Sequence, residues 1–470
     1  MRRCRLLERR VERLEREVEA HEAAQRAARE ESEDRALRLA VCELFHGASL
    51  RSAATCQEAA FPEEASSKST LQRYLDEWCL AAEELHGEYF AGRGREAACD
   101  EIYLSGHPVL EAVEPYSLAI TGIRAEAMPT EAQWRSLLET FEHLEMAVSD
   151  QGLGVTRALA AEEQQDRIGR CVTDSWHLLR PFTAAVGRRE GRAYERIADE
   201  EEKRQDFLAV LPCTPGMNVP VELERLEKAQ VQCAAAIALY DQVQTLLEWL
   251  RESLRPVDGQ GRVRTEEQIR GDWAAALDLI DTVPAEEFYA LERKLRGRID
   301  GAAARGLAER LSALPLPPGW NEDEREGLQQ AVCQAWNHHH RQQTHLHQAP
   351  AQAARTVAER LGWASCAHRL EAYCRAVFEI LDRTLIASSA VECVNSVIRL
   401  REGGKRHPNP KFVYFLAWLH NTRPFEEGRR KGLTPAELLG VKLPADGLTM
   451  LLERTLARRR NSKLLSPSNR

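Results

Sequence analysis

The stretch CDEIYLSGHPVLEAVEPYSLAITGIR, residues 99–124, is where the chain stops reading as helix. CDEIYL, PVLEAVEP and SLAITGIR are short strand-like runs, and Ser105-Gly106-His107-Pro108 and Glu114-Pro115 supply tight turns between them. The pattern predicts three antiparallel strands joined by hairpins. Further on it predicts a helix from Thr130 to His143, a fourth strand in EMAVSD ending at Asp150, a helix in GVTRALAAEEQQDR, and a fifth strand in RCVTDSWHLLRPF entering another helix. Three strands, helix, strand, helix, strand is an α/β order with a mixed sheet.

That order gives the carboxylates a meaning. Strand side chains alternate, so Asp100 and Glu101 point to opposite faces. If strands one and four are neighbours, Asp100 can meet Asp150. A third carboxylate comes from SSAVECVNSVIRLR, residues 388–401. As a helix, this segment carries a polar stripe of Glu392, Asn395, Ser396 and Arg399 beside an apolar stripe of Val391, Val394 and Ile398. Bland readings compete: Ser389 and Glu392 have the spacing of a capping box, and a strand-end Asp is often a turn former. The chemical reading is an oxygen site for two Mg²⁺ ions, which need hard oxygen ligands and keep positions open for phosphate. Two such ions about 4 Å apart stabilise the attacking and leaving oxygens of phosphoryl transfer. Asp174 and His177, a D-x-x-H just after the fifth strand, can position a phosphate or water, or simply hold the fold.

The 470 residues are 43% hydrophobic and 29% charged, which describes a folded chain of several domains. No run of 18 apolar residues exists, and the charged N-terminus lacks the apolar core of a signal peptide. A cytoplasmic, nucleoid-associated protein without membrane contact is expected. Twelve scattered cysteines without a C-x-x-C pair fit reduced thiols better than disulfides or zinc. The net charge of −9 argues against a nucleic-acid binder, but its distribution does not. From Arg399 onward 16 Lys and Arg face 6 Asp and Glu, a basic end on an acidic body.

Residues 1–36 read as a charged helix with Leu7, Val11, Leu14 and Val18 at coiled-coil spacing, a homodimer contact or a surface helix. Residues 37–90 read as three short helices, the last opening with Ser67, Lys68, Gln72 and Arg73: a helix-turn-helix-like DNA-binding unit. The strands fall within 91–204, residues 205–384 read as helical, with an apolar seam over Val221–Arg255 and further helices near 265–282, 285–313 and 322–347, and residues 385–445 carry the Glu392 helix and the block that follows it. Trp320 and Trp336 are candidates to stack on an extruded base, or are core. The histidine-rich run AWNHHHRQQTHLHQ suggests a polar, phosphate-facing surface rather than a metal site. Lys405, Arg406, Arg429, Arg430 and Lys431 are expected on phosphates. Thr434, Pro435 and Glu437 announce a capped short helix, and 446–470 reads as a basic tail.

Four blocks together resemble the bacterial insertion-sequence transposases of the DDE type. They are ACDEIYLSGHPVLEAVEPYSLAI, MAVSDQG, ASSAVECVNSVIR and YFLAWLHNTRPFEEGRRKGLTPAELLG (414–440), and the likeness covers most of 95–185 and 385–441. The resemblance implies an α/β, ribonuclease H-like catalytic domain interrupted by a large all-α insertion, behind an N-terminal helical unit. It implies that Asp100, Asp150 and Glu392 are catalytic and hold two Mg²⁺ ions, for which Mn²⁺ can substitute, with Asp174, His177, Asn395 and Arg399 in support. The implied substrate is double-stranded DNA, transposon ends and target, cut by water and joined by a 3′-hydroxyl. The rival expectation is a domesticated, catalytically silent DNA-binding protein that recognises element ends; a metal-dependent nuclease without strand transfer is a third.

Overall fold

The computed structural model describes residues 2–46, 48–104, 107–150, 152–211, 219–296, 306–363, 367–384, 389–402 and 409–465. It is a mixed α/β structure around one five-stranded sheet. The strands are β1 (Glu96–Leu104), β2 (His107–Glu114), β3 (Ala119–Ala125), β4 (Met146–Ser149) and β5 (Cys171–Thr173), in the order β3-β2-β1-β4-β5. The hairpin pairs β1–β2 and β2–β3 are antiparallel, whereas β1–β4 and β4–β5 are parallel. The strand order along the chain and the adjacency of strands one and four agree with the sequence reading. The expected helix from Thr130 is shorter, ending at Leu138, but opens with the Thr130–Gln133 capping box.

Helices cover both faces of the sheet, so its strands are buried on both sides. Ahead of it come α1 (Arg2–Phe45), α2 (Leu50–Ala60) and α3 (Lys68–Tyr89). After β3 come α4 (Glu131–Leu138), α5 (Leu153–Glu163) and α6 (Ser175–Val210). Trp134, Leu137, Val155 and Leu159 of α4 and α5 pack on Ala97, Cys99, Leu110 and Ala112. The helical stretch then runs through α7 (Val219–Ser253), α8 (Glu266–Ile280), α9 (Glu286–Leu295), α10 (Leu307–Ser312), α11 (Arg325–Arg341), α12 (Ala349–Arg360) and α13 (Ala367–Asp382). The C-terminal block is α14 (Ser389–Glu402), α15 (Phe412–Thr422), α16 (Pro435–Leu439) and α17 (Gly447–Leu465). On the second sheet face, Ala98, Ile102, Val109 and Val113 meet Val391, Val394 and Ile398 of α14 and Phe415 and Trp418 of α15.

Several boundaries differ from the sequence reading. No Gly or Pro interrupts residues 30–45, and α1 continues through 36 without a break. Its end, α2 and α3 build no core of their own. Leu44, Leu71, Trp78 and Leu85 belong to the same core as the sheet, α14 and α15. The expected tail at 446–470 is largely α17, whose Arg454 and Arg458 pair with Glu84 and Glu88 of α3. The proposed start of the insertion at 205 falls inside α6. The helix expected at 285–313 is two helices, α9 and α10, and the segment 297–305 between them lies outside the described residues. The helix expected to reach 347 stops at Arg341, and a single 3₁₀ turn, Glu322–Glu324, precedes it.

Between β5 and α14 the described residues contain no strand and hold two helical cores. Leu178, Phe182 and Val186 of α6 face Val243, Leu247 and Leu250 of α7, closed by Trp273 and Phe288, which makes the two long helices an antiparallel pair. The seam read from the sequence supplies this face of α7. A second core joins Leu311, Leu328, Val332, Trp336, Val357, Leu370 and Phe378. Trp336 is therefore core, and its indole N–H donates to Asp382 Oδ1 at 2.7 Å. Trp320 packs against Trp363, ring centroids 4.6 Å apart.

A buried ion pair fastens this helical stretch to the rest. Both carboxylate oxygens of Asp382 accept from Arg429, at 3.1 and 3.0 Å, and the guanidinium also meets His340 Nδ1 at 2.7 Å. The next residue, Arg430, donates to the carbonyls of Tyr116 and Pro115 in the β2–β3 turn. Truncating one partner of such a pair leaves the other charge buried alone, which costs about 3–5 kcal/mol. Asp382→Ala should lower the unfolding free energy by that amount in urea titration. Glu371→Ala, which breaks the exposed pair with Arg375, should cost under about 1 kcal/mol.

Candidate active site

The parallel register sets Cys99 opposite Ser149, and Ser149 opposite Thr173. Asp100, Asp150 and Asp174 are the residues immediately following, so three Asp positions lie side by side along neighbouring parallel strands, the last two just past the strand ends. Carboxyl ends of parallel strands are where open α/β sheets place their ligands. The Asp174 backbone N–H donates to the Ser149 carbonyl at 2.9 Å, which carries the alignment one residue beyond the ladder.

Asp100 is buried. Its Oδ1 accepts from the Glu101 backbone N–H at 2.8 Å and its Oδ2 from Asn395 Nδ2 at 3.0 Å. Burial pushes its carboxyl up to about 6; the Glu101 N–H opposes this, the charges of Asp150 and Glu392 add to it, and the nearby His177 works against it. Asp150, His177 and Glu392 are thus each within electrostatic reach of Asp100. Glu392 is half-buried, one turn into α14. Asn395 is fully buried and Arg399 exposed, so the polar stripe of α14 leans inward at Asn395. Asp150 Oδ1 accepts from the Gly152 N–H at 2.9 Å, and a side chain at 152 would crowd that oxygen at 3.0 Å.

His177 Nδ1 lies 2.6 Å from Asp174 Oδ2, and that bond, with the charges of Asp174, Asp100 and Asp150, raises the imidazole pKa against its burial. Glu101 points to the opposite face, where it accepts from the Trp134 indole at 2.9 Å. Among the described residues no three His, Cys, Asp or Glu side chains stand close enough to hold a metal ion as they are. The donor set is nonetheless one that suits Mg²⁺ or Mn²⁺: hard oxygens, mutually repelling, with the buried Oδ1 of Asn395 left without a donor.

The sequence reading missed Glu111. It is the cross-strand partner of Asp100, fully buried, and both its oxygens lack a hydrogen bond. Burial pushes its carboxyl well above the usual range; the Asp100 charge adds to this and Arg399 opposes it. A signal existed: a hairpin centred on Ser105-Gly106 pairs 100 with 111.

The expected DNA contacts divide. Ser67, Lys68, Gln72 and Arg73 are exposed at the start of α3, but the Ser67 hydroxyl caps the helix by accepting from the Thr70 N–H. Arg429 and Arg430 are turned inward, as described above, and are not free for phosphate; Lys431 is exposed. Lys405 and Arg406 lie outside the described residues. In the histidine run His339 is buried, and His345 meets the Lys431 carbonyl at 2.9 Å.

No family model matches the chain, and no curated protein or solved structure does either. Among the described residues no helix is long and apolar enough to cross a membrane.

The buried Asp100 makes stability pH-dependent. Its folded pKa of about 6 lies above the ordinary 3.8, so ionisation destabilises the fold, fully above pH 6 and not at all below about 4. The difference is worth about 3 kcal/mol. In metal-free buffer Asp100→Asn should be more stable than wild type at pH 8 by up to that amount, and the gain should disappear by pH 4. Equal unfolding free energies at pH 8 would contradict this.

Proposed function

We propose that this chain is a DDE-type DNA transposase whose sheet is the ribonuclease H-like catalytic unit. The observation that carries the reading is that the charges of Asp150, at the end of β4, and of Glu392, on α14, both reach the buried Asp100 of β1. The sheet order β3-β2-β1-β4-β5, with β1 and β4 parallel, supports it. Asp100, Asp150 and Glu392 would hold two Mg²⁺ ions, or Mn²⁺, which when bound supply charge stabilisation to the attacking and leaving oxygens of phosphodiester transfer.

The chain's own groups do the rest. Asn395 holds Asp100 in place. Asp174 fixes the ring of His177 and raises its pKa, which favours the charged imidazolium at the strand ends, a form suited to a phosphate. Arg399, exposed two turns along α14 from Glu392, extends that positive rim. Lys68, Gln72 and Arg73 open a helix that reads double-stranded DNA, and the protein acts as a homodimer.

Each of Asp100→Asn, Asp150→Asn and Glu392→Gln keeps the shape but removes a charged oxygen ligand. Each should reduce Mg²⁺-dependent cutting of a labelled element end to background, while binding to that end, measured in parallel, survives. A Glu392→Gln variant that cuts as well as wild type would reject the catalytic role of Glu392. A wild type that binds but does not cut authentic ends with Mg²⁺ or Mn²⁺ would favour the silent, domesticated DNA-binding protein.

A further inference from the structure

We infer that the outer part of the α6–α7 hairpin is a dimer interface: it packs face to face, antiparallel and about a two-fold axis, on the same hairpin of a second copy of this chain. This places the homodimer of the reading above and needs nothing of its catalytic part.

Beyond Ala193, α6 carries Tyr194, Ile197, Glu201, Arg204 and Leu208, with Leu211 one residue past its end, at alternating steps of three and four. That is the a/d spacing of a coiled coil. The Leu211 N–H still donates to the Phe207 carbonyl, so helical geometry reaches it. The four apolar members are 43–66% exposed and join no core among the described residues. α7 adds Leu223 and Ile237, 40% and 37% exposed. On both helices these residues lie about a quarter-turn, in the same sense, from the stripe buried between the helices. In an antiparallel pair that puts them on one side of the hairpin. Single exposed apolar residues are ordinary, but six on one face mark an interaction surface.

The spacing selects the occupant. Tyr194 with Leu211, Ile197 with Leu208, and Glu201 with Arg204 are all centred on one point, between Glu202 and Lys203. A second α6 running the opposite way therefore meets this one apolar on apolar and Glu201 on Arg204. A parallel copy would set Glu201 on Glu201 and Arg204 on Arg204. On α7, Leu223 and Ile237 are centred on Gln230. Cys233 meets Glu200 across the hairpin, so Gln230, three residues nearer the tip, stands level with Lys203. One two-fold axis thus serves both helices, as an interface between identical patches requires. Within one chain Arg204 pairs with Glu200 at 2.6 Å and with Glu201 at 3.7 Å, and both Glu201 and Arg204 stay about half exposed. The run from Tyr194 to Leu211 is about 25 Å long and two helices are about 20 Å across, so two copies bury on the order of 1,000 Å², enough for a specific interface. The seam begins about 25 Å along α6 from His177, which leaves the strand ends uncovered.

The test is sedimentation equilibrium of the full chain, with circular dichroism to check folding. Wild type should be a dimer at micromolar concentration. Ile197→Glu and Leu208→Glu should each raise the dimer Kd by about 100-fold or more, because each change occurs twice in the interface. Val18→Glu, at an exposed position of α1, should leave it unchanged. Glu201→Arg and Arg204→Glu should each weaken the dimer by about 10-fold. An equal mixture of those two variants, or both changes in one chain, should restore it. A wild type that is monomeric at about 100 µM overturns the proposal, as does a dimer that survives Ile197→Glu and Leu208→Glu or is lost with Val18→Glu. A mixture that fails to recover overturns the antiparallel register. Should the Glu variants at 197 and 208 not fold, the charge swaps, which change only exposed side chains, decide alone. Neither metal nor DNA cutting is read, so a silent catalytic site leaves the outcome untouched.

Discussion

Cys99 and Ser149 stand opposite each other on two parallel strands, and the rest of the site follows from that alignment. Parallel strands end on the same side, so the residues just past the pair, Asp100 and Asp150, are delivered to one edge. An antiparallel pairing would have sent them to opposite ends. β5 repeats the device with Thr173, and Asp174 arrives beside them. The antiparallel hairpin on the other flank of β1 then brings Glu111 opposite Asp100. Acids 50 residues apart are brought together by backbone pairing alone.

Backbone pairing does not explain why charges that repel should stay together. Asp100 is desolvated and hemmed in by like charge, which opposes folding by about 3 kcal/mol at neutral pH. The neighbouring apolar surface outweighs this. Val391, Val394 and Ile398 of α14 are fully buried on the sheet and α15, and each such side chain contributes about 1.5–3 kcal/mol. The same helix thus supplies the adhesion and carries Glu392 and Asn395 into place. Strain of this kind is a common property of sites that bind cations, because the cation supplies the missing charge.

Much of this was legible in the sequence. The strands could be read because turn residues cut the pattern at 105–108 and 114–115. The capped helix at Thr434 could be read because hydroxyl and carboxylate are three apart. Val391, Val394 and Ile398 showed the buried face of α14. Other features were hidden for physical reasons. Arg429 and Arg430 look like phosphate binders because a pair of arginines in a loop is usually solvated; only the fold brings Asp382 to Arg429 across 47 positions and the Tyr116 and Pro115 carbonyls to Arg430. α1 had no punctuation to mark where its packed end begins. Glu111 sits in an apolar run, where a carboxylate is read as an outward residue, and its inward placement follows only from register. The helices at 37–90 read as a separate unit because local helix patterns say nothing of which core a helix joins.

α6 leaves β5 with only Asp174 between them and runs from Ser175 to Val210, 36 residues without interruption. At 1.5 Å per residue that is a rod about 54 Å long, with His177 at its root and Leu178, Phe182 and Val186 just beyond it packed on α7. A rod of that length is a lever. A tilt of about 5° at the root sweeps the tip through nearly 5 Å, about the rise of one helical turn. Conversely, displacing the tip by a few ångströms turns the first turn of the helix by only a few degrees. Pro181, one turn past His177, removes a backbone hydrogen bond there and sets the compliant point close to the fulcrum. In a rigid rod anchored in this way, a large excursion at the tip would correspond to a fine adjustment at the imidazole.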